Sequence, residues 1–207
     1  MKNDNSIIGN LKYKHRFFFT ADYFLKKVGI NFTKAYIFSI NLDDFVFEEF
    51  NDNDFIIKEC NMDDLNKFGE LKDLFLSDMQ NGHILVAAFL EDQWMGYNWI
   101  SLKPKEVEEV ERIIHFNGAY LYRGYVKNEF RQRGVFKDLL YFTLNLIKNK
   151  YNKNEVYGIT EMANIPTIKA LEKNGYSKVG IIKYSKIFSW KKYEEKIDNN
   201  TVKLLKK

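Results

Sequence analysis

Hydrophobic and polar positions change period several times along this chain, and each change marks an element. "KAYIFSI" (34–40) alternates, with Tyr36, Phe38 and Ile40 on one face, which predicts a strand. "FIIKEC" (55–60) predicts a second. Leu65, Phe68, Leu71 and Phe75 then recur at helical spacing, with Asn61 or Asp63 placed to cap. "HILVAAFL" and "WMGYNWISL" flank "EDQ", the pattern of a hairpin. "AYLYRGYV" (119–126) alternates again, and residues 134–148 carry a wide apolar stripe of Phe136, Leu139, Leu140, Leu144 and Ile147. "EVYGIT" (155–160) reads as a strand. Asn164 then sits where an N-cap belongs, Pro166 falls in the first turn, and Asn174-Gly175 stops the helix. "YSKVGIIKYSKIFSWKKY" supplies two closing strands.

Residues 16–29 read as a short helix stopped by Gly29, and 103–117 as a charged connection without a clear period. From residue 55 the order is β-α-β-β-β-α-β-α-β-β. That predicts an α+β fold, a mixed central sheet of about seven strands flanked by helices. The acidic, turn-rich run "NLDDFVFEEFNDND" suggests a boundary. Residues 1–50 read as an N-terminal extension, helix plus strand, packed on or beside a main domain at 51–195. Residues 196–207 read as a polar tail.

Composition narrows the classes. The 207 residues fit one domain with an appendage, and 16% aromatics can fill a sizeable core. The net charge of +4 comes from scattered Lys and Arg, so no nucleic-acid-binding face is expected. No apolar run reaches the roughly 20 residues a membrane helix needs, so no membrane partner is expected. The N-terminal decamer lacks the apolar stretch of a signal peptide. The single cysteine, Cys60, cannot form an internal disulfide, which points to a reducing, cytoplasmic setting. It lies in an apolar run and reads as core packing. His83 and His115 have no visible metal partners, so no metal is expected.

The junction "VKNEFRQRGVFKDLL" carries chemistry. A strand feeding a helix through "RQRGV" leaves several backbone N–H groups at the helix N-terminus, an anion site. Gly134 lets a ligand approach the backbone. The helix dipole alone, about 0.3–1 kcal/mol, is too small to hold a ligand. Several aimed amides, with Arg131 or Arg133 as charge partners, are needed. On this pattern alone a plain helix start is equally good. The chain has neither G-x-G-x-x-G nor G-K-[ST], which disfavours Rossmann and P-loop readings.

Together with "NIPTIKALEKNGY" downstream, this stretch resembles the GNAT family of acetyl-CoA-dependent N-acetyltransferases. That family has an Arg/Gln-x-x-Gly-x-Gly/Ala loop after its fourth strand, and Arg131, Gly134 and Phe136 occupy the three positions. Its later helix opens with Asn and ends in Gly-Phe or Gly-Tyr, matched by Asn164 and Gly175-Tyr176. The resemblance covers about residues 53 to 192. It implies that the amides of Gln132, Arg133, Gly134, Val135 and Phe136 bind the coenzyme pyrophosphate. It also implies that Tyr125 and Val126 offer backbone groups to the pantetheine arm and that Asn164 lies near the coenzyme. Two positions depart from the pattern. Phe136 replaces the small residue, and Leu171 stands where many members place a tyrosine that protonates the leaving thiolate.

The implied reaction is attack of an amine on the thioester of acetyl-CoA. A lysine-like amine, with pKa about 10.4, needs a base, whereas an α-amine at about 7.7–8.0 needs less help. Glu161, after the fifth strand of the main domain, and Tyr122 are the catalytic candidates, although a solvated loop residue and a packed strand aromatic are the commoner roles for such positions. Tyr176 or a water are candidate acids. The expected acceptor is a small amine of modest pKa, such as an amino sugar, free or nucleotide-linked. A peptide or protein amine is the alternative acceptor, and a non-catalytic acyl-CoA-binding domain the alternative class. The aromatic N-terminal extension makes a homodimer an open option.

Overall fold

The computed structural model describes residues 28–46, 54–107, 110–197 and 202–204. The helix expected at 16–29 lies outside the described residues except for Val28 and Gly29. The order begins β1 (Ile30–Asn41), β2 (Ile56–Glu59), a 3₁₀ segment (Asp63–Leu71), α1 (Lys72–Gln80), β3 (Ile84–Leu90), β4 (Gln93–Ser101), β5 (Lys105–Val107) and β6 (Arg112–Phe116). It continues with β7 (Ala119–Val126), α2 (Val135–Asn149), β8 (Glu155–Glu161), α3 (Ile165–Lys173), β9 (Ser177–Ile187), β10 (Trp190–Ile197) and β11 (Val202–Leu204).

The main sheet has eight strands in the order β10-β9-β1-β8-β7-β4-β3-β2. Every neighbouring pair is antiparallel except β7–β8. The α+β class follows from the alternation patterns, and the helices flank the sheet as expected. On one face Leu139, Leu140, Leu144 and Ile147 of α2 join Ile168 of α3, Phe38, Ile40 and Val156. On the other face Leu65, Phe68 and Phe75 of the 3₁₀ segment and α1 pack with Trp99, Tyr120, Tyr122 and Tyr157. Asn61 caps the 3₁₀ segment, its Oδ1 accepting from the amides of Asp63 and Asp64 at 3.0 and 3.1 Å. The expected single helix is broken at Gly69 (φ 58°, ψ −124°).

Three elements differ from the sequence reading. The strand at 34–40 is longer, and it lies inside the sheet, paired with β8 from Ala35–Glu161 to Asn41–Glu155 and with β9 from Ile30–Ile187 to Ser39–Ser177. A boundary at residue 50 would therefore cut through the main sheet. Strands on both sides explain why Ala35, Ile37 and Phe38 are wholly buried. The charged connection at 103–117 contains a hairpin, β5–β6, which with β11 forms a three-stranded sheet. Its Val107, Ile114 and Phe116 are buried, Lys105 turns in toward Asp78, and Glu106 is exposed. Finally, Val202–Leu204 of the expected polar tail pairs with β6. Glu111, at the β5–β6 turn, ties the small sheet to β9 and β10 through Lys186 and Lys191, both at 2.9 Å. Arg112 adds an ion pair to Glu195.

Candidate functional site

The site begins where two parallel strands part. β7 and β8 pair only at Ala119–Val156, Tyr120–Tyr157 and Leu121–Gly158. Beyond these, β7 continues to Val126 beside β4, and β8 continues to Glu161 beside β1. A wedge opens between two backbone edges that have no strand across from them. Its cause lies in β7, where Arg123 adopts φ 49° and the register against β4 slips between Tyr97 and Trp99. An extra residue in one strand bends it and increases its twist. Gly124 allows the close approach at this bulge, since a Cβ there would lie 2.6 Å from Asn98 Oδ1. Each parallel strand then leads into a helix, so the N-termini of α2 and α3 stand at the open end of the wedge. Ligands of α/β sheets bind at such carboxyl ends.

The loop from β7 to α2 is held at several points. Lys127 N–H donates to Met95 O at 2.8 Å, and Phe130 N–H to Lys127 O at 3.0 Å. The Phe130 ring, 6% exposed, packs with Ala88, Met95, Val126 and Val135. Arg131 Nε donates to Val126 O at 3.0 Å, fastening the loop to the end of β7, and its guanidinium carbon lies 5.8 Å from the Tyr125 ring centre. Gln132 (φ 65°) and Gly134 (φ 81°) then take left-handed conformations. The first i→i−4 bond of α2 runs from Asp138 N–H to Gly134 O at 3.1 Å. Among the described residues no backbone carbonyl takes the amides of Gln132, Arg133, Gly134, Val135 or Phe136. This is a row of donors at a helix N-terminus, the arrangement that favours an anion. Phe136 lays its ring against Gly124, with Cε2 4.0 Å from the Cβ position there, and packs into the α2 core stripe. Its bulk is absorbed by the core, leaving its amide in the row.

At the second helix, Asn164 Oδ1 accepts from Thr167 N–H at 3.3 Å, and Asn164 N–H donates to Glu161 O at 2.9 Å. The cap read from sequence is thus present. Alternation along β8 puts Glu161 on the face of Tyr157 and Ile159, the face that also carries Tyr122 and Tyr125. The two catalytic candidates therefore occupy opposite lips of the wedge on its α1 side. The loop amides and Asn164 lie on its α2–α3 side. Tyr122 is 9% exposed and stacks on Trp99 and Tyr120, with centroids 6.1 and 5.7 Å away.

Two other candidates fall away from the wedge. Tyr176 lies level with Val156, five residues or about 16 Å from Glu161 along β8, because Ser39 pairs with both Tyr157 and Ser177. It is 4% exposed, and burial pushes its phenol well above the usual tyrosine range. It cannot serve as the acid. Leu171, on α3, packs against the core it shares with α2, so no hydroxyl replaces the missing tyrosine at that position. Cys60 is 6% exposed and packs with Leu65 and Phe89, as its apolar context indicated.

A group that the sequence did not single out lies beside Tyr122. Arg123 Nη1 contacts Asp78 Oδ2 at 2.5 Å, Lys105 Nζ lies 3.6 Å from Asp78 Oδ1 and 4.4 Å from the Tyr122 ring centre, and the His83 ring is 5.6 Å from that ring. Burial, then the Lys105 charge, hold the His83 imidazole below its usual range. Periodicity gives no signal for this group, because the bulge turns Tyr122 and Arg123 toward the same face. Among the described residues no cluster of three or more His, Cys, Asp or Glu could hold a metal. No helix among them is long and apolar enough to cross a membrane.

A wedge between parallel strands, with helix N-termini at its mouth, is a place for an anionic ligand, and comparison gives the family. The sequence model of the acetyltransferase (GNAT) family matches residues 41–176, and the chain belongs to that family. An N-alpha-acetyltransferase of Saccharolobus solfataricus is 24% identical over 146 residues, covering 63% of this chain and 84% of that protein. A GNAT-family acetyltransferase from Colwellia psychrerythraea shares the fold with a TM-score of 0.52 at 13% identity, over 77% of this chain and 58% of the other. A Drosophila protein of known structure gives 0.56 at 13% identity over 79% of this chain, which spans 54% of its length. The family match starts at residue 41, so β1 up to its last residue lies outside it.

Proposed function

We propose that the wedge holds acetyl-CoA and that the protein transfers its acetyl group to a small amine. The observation that carries this reading is the row of amides from Gln132 to Phe136, which no backbone carbonyl takes among the described residues, at the mouth of a wedge formed by two parting strands. The pyrophosphate would take those amides, with Arg133 as a charge partner and Arg131 holding the loop to β7. The pantetheine amides would pair with the free edge of β7 at Tyr125 and Val126, and Asn164 would border the coenzyme from α3. The amine nitrogen attacks the thioester carbonyl, a C–N bond forms, the C–S bond breaks, and the sulfur leaves as thiol after taking a proton. Glu161 and Tyr122, on the face opposite the loop, would move the protons, one taking the proton that the amine loses. With no tyrosine at position 171, an acceptor of modest pKa, such as an amino sugar, fits best. A reducing, cytoplasmic setting suits the lone buried thiol.

A peptide α-amine is the second reading, supported by the N-alpha-acetyltransferase relative. Titration calorimetry with acetyl-CoA tests the first half, and no heat at millimolar coenzyme would sink it. Thiol release across amino sugars, nucleotide-linked amino sugars and short peptides then separates the acceptors. Coenzyme binding without release on any amine would leave an acyl-CoA-binding domain.

A further inference from the structure

The main sheet runs on past the wedge. β8 ends at Glu161, opposite Ala35, but β1 begins earlier, at Ile30, and β9 and β10 accompany it out to their turn at Phe188. The two faces of this projecting part differ. One is closed by the small sheet, where Glu111 holds Lys186 and Lys191 and its carbonyl accepts from Tyr193 Oη at 3.3 Å. The other is the face of α2 and α3. Alternation from Phe38 through Tyr36 brings Phe32 to it, and the strand register sets Ile187 and Trp190 beside Ile30. Here the apolar side chains stand open. Phe32 is 60% exposed, Trp190 57% and Ile187 41%, and Phe188 (68%) and Val28 (42%) extend the patch around the turn. Exposed apolar groups gathered side by side mark an interaction site, whereas single ones do not.

The occupant is indicated by where the chain enters. β1 is reached through Val28 and Gly29, so residues 1–27 join the protein at the rim of this patch. Gly29 has φ 83°, the left-handed conformation in which helices commonly end. Its carbonyl accepts from Phe188 N–H at 2.7 Å, which holds the turn against the patch. In the sequence before it, Phe17, Ala21, Phe24 and Val28 recur at helical spacing, with Leu25 beside them and Asp22 and Lys26 opposite. We propose that residues 16–27 form a helix that folds back at Gly29 and lays this stripe on Phe32, Ile187 and Trp190, beside α2 and α3. The dimensions agree. A helix of that length is about 18 Å long, and β1 from Ile30 to Ala35, ahead of the start of α3, spans about 16 Å. The opposite face is taken by the small sheet. A second copy of the chain is the weaker competitor, because a segment tethered through Val28 and Gly29 meets the patch at an effective concentration of about millimolar.

Hydroxyl-radical footprinting of the full chain tests this. Corrected for intrinsic reactivity, Phe32, Ile187 and Trp190 should be oxidised about tenfold less than Ile56 and Leu74, which are comparably exposed among the described residues. Phe24→Asp puts a charge into the stripe and should restore oxidation at all three positions. Thr20→Pro lies off the stripe and should restore it by breaking the helix, so it decides the matter if the first variant does not fold. Oxidation of the three residues in the parent at the rate of Ile56 overturns the proposal, and so does shielding that the variants retain. Shielding that fades on dilution of the parent assigns the patch to a second copy. Shielding gained only when vesicles containing phosphatidylserine are added assigns it to a lipid surface. Either of these also overturns the proposal.

Discussion

Replacing Gly134 by alanine isolates the conformation that presents the loop amides. Gly134 sits at φ 81°, ψ −14°, immediately before α2. A side chain there forces an L-residue into the left-handed region, which costs about 1–2 kcal/mol. There is no added clash, because a Cβ would meet only Asp138 Oδ2 at 3.7 Å, an ordinary contact. The strain can surface in two ways. If the loop keeps its shape, the folded state loses the full amount, a fall in Tm of about 2–8 °C for a chain of this size. If the loop relaxes, stability is retained and acetyl-CoA must restore the shape, raising Kd about 5- to 30-fold. Phe130 and Val135 are buried on either side and Arg131 is tied to Val126, so relaxation is confined to residues 132–134. Most of the effect should therefore appear in binding. Calorimetric unfolding and acetyl-CoA titration on the same variant give both parts, which should sum to about 1–2 kcal/mol. A variant with unchanged Tm and unchanged Kd refutes the reasoning. So does a combined loss above about 4 kcal/mol, which strain without a clash cannot supply.

Gly124→Ala places a Cβ 2.6 Å from the Oδ1 of Asn98, a buried residue whose amide faces Thr143, so unfolding by urea should show a loss of about 1–3 kcal/mol. An unchanged midpoint would show that the bulge has room to spare. Tyr176→Phe removes a buried hydroxyl with no partner among the described residues, so it should be neutral or stabilising and leave kcat intact. A fall in kcat would return Tyr176 to the reaction. Burial, followed by the nearby Asp64 charge, pushes the Cys60 thiol up to about 12, so a thiol reagent at mildly alkaline pH should label it only after unfolding. Rapid labelling of the folded protein contradicts that. Burial alone would raise the Glu111 carboxyl, but hydrogen bonds from Lys186 and Lys191 bring it from 4.5 down to about 2. Its contribution to stability is present above pH 4.5 and is lost as pH falls toward 2, so Glu111→Gln should be less stable than the parent at neutral pH by a margin that closes over that window. A margin that persists at the acid end would exclude the carboxylate as its source.

What the sequence revealed was local. Alternation at 119–126 and 155–160 gave β7 and β8, the 3.6-residue stripe gave α2, and Asn164 with Pro166 gave the start of α3. The hairpin at Lys105–Phe116 was hidden because charged residues interrupt the apolar period carried by Val107, Ile114 and Phe116. The aim of Arg123 was hidden because a bulge resets alternation without any cue in residue type. Partner choice was hidden too. Tyr36, Phe38 and Ile40 announce a strand, yet nothing local to them names residues more than a hundred positions away as neighbours. The wedge combines both cases, with its strands and caps local and their separation set by long-range pairing.

That placement of β1 bears on how the chain is made. Residues 30–41 are synthesised early, yet their partners, β8 at 155–161 and β9 at 177–187, emerge more than a hundred residues later. Until then an apolar strand waits with both edges open, the condition under which strands pair with the wrong neighbour. Closing so large a loop makes assembly slow and dependent on the C-terminal half. Chains released before residue 187 should be captured by chaperones or degraded, and moving residues 28–41 to follow β10 through a flexible linker should speed refolding of the same sheet.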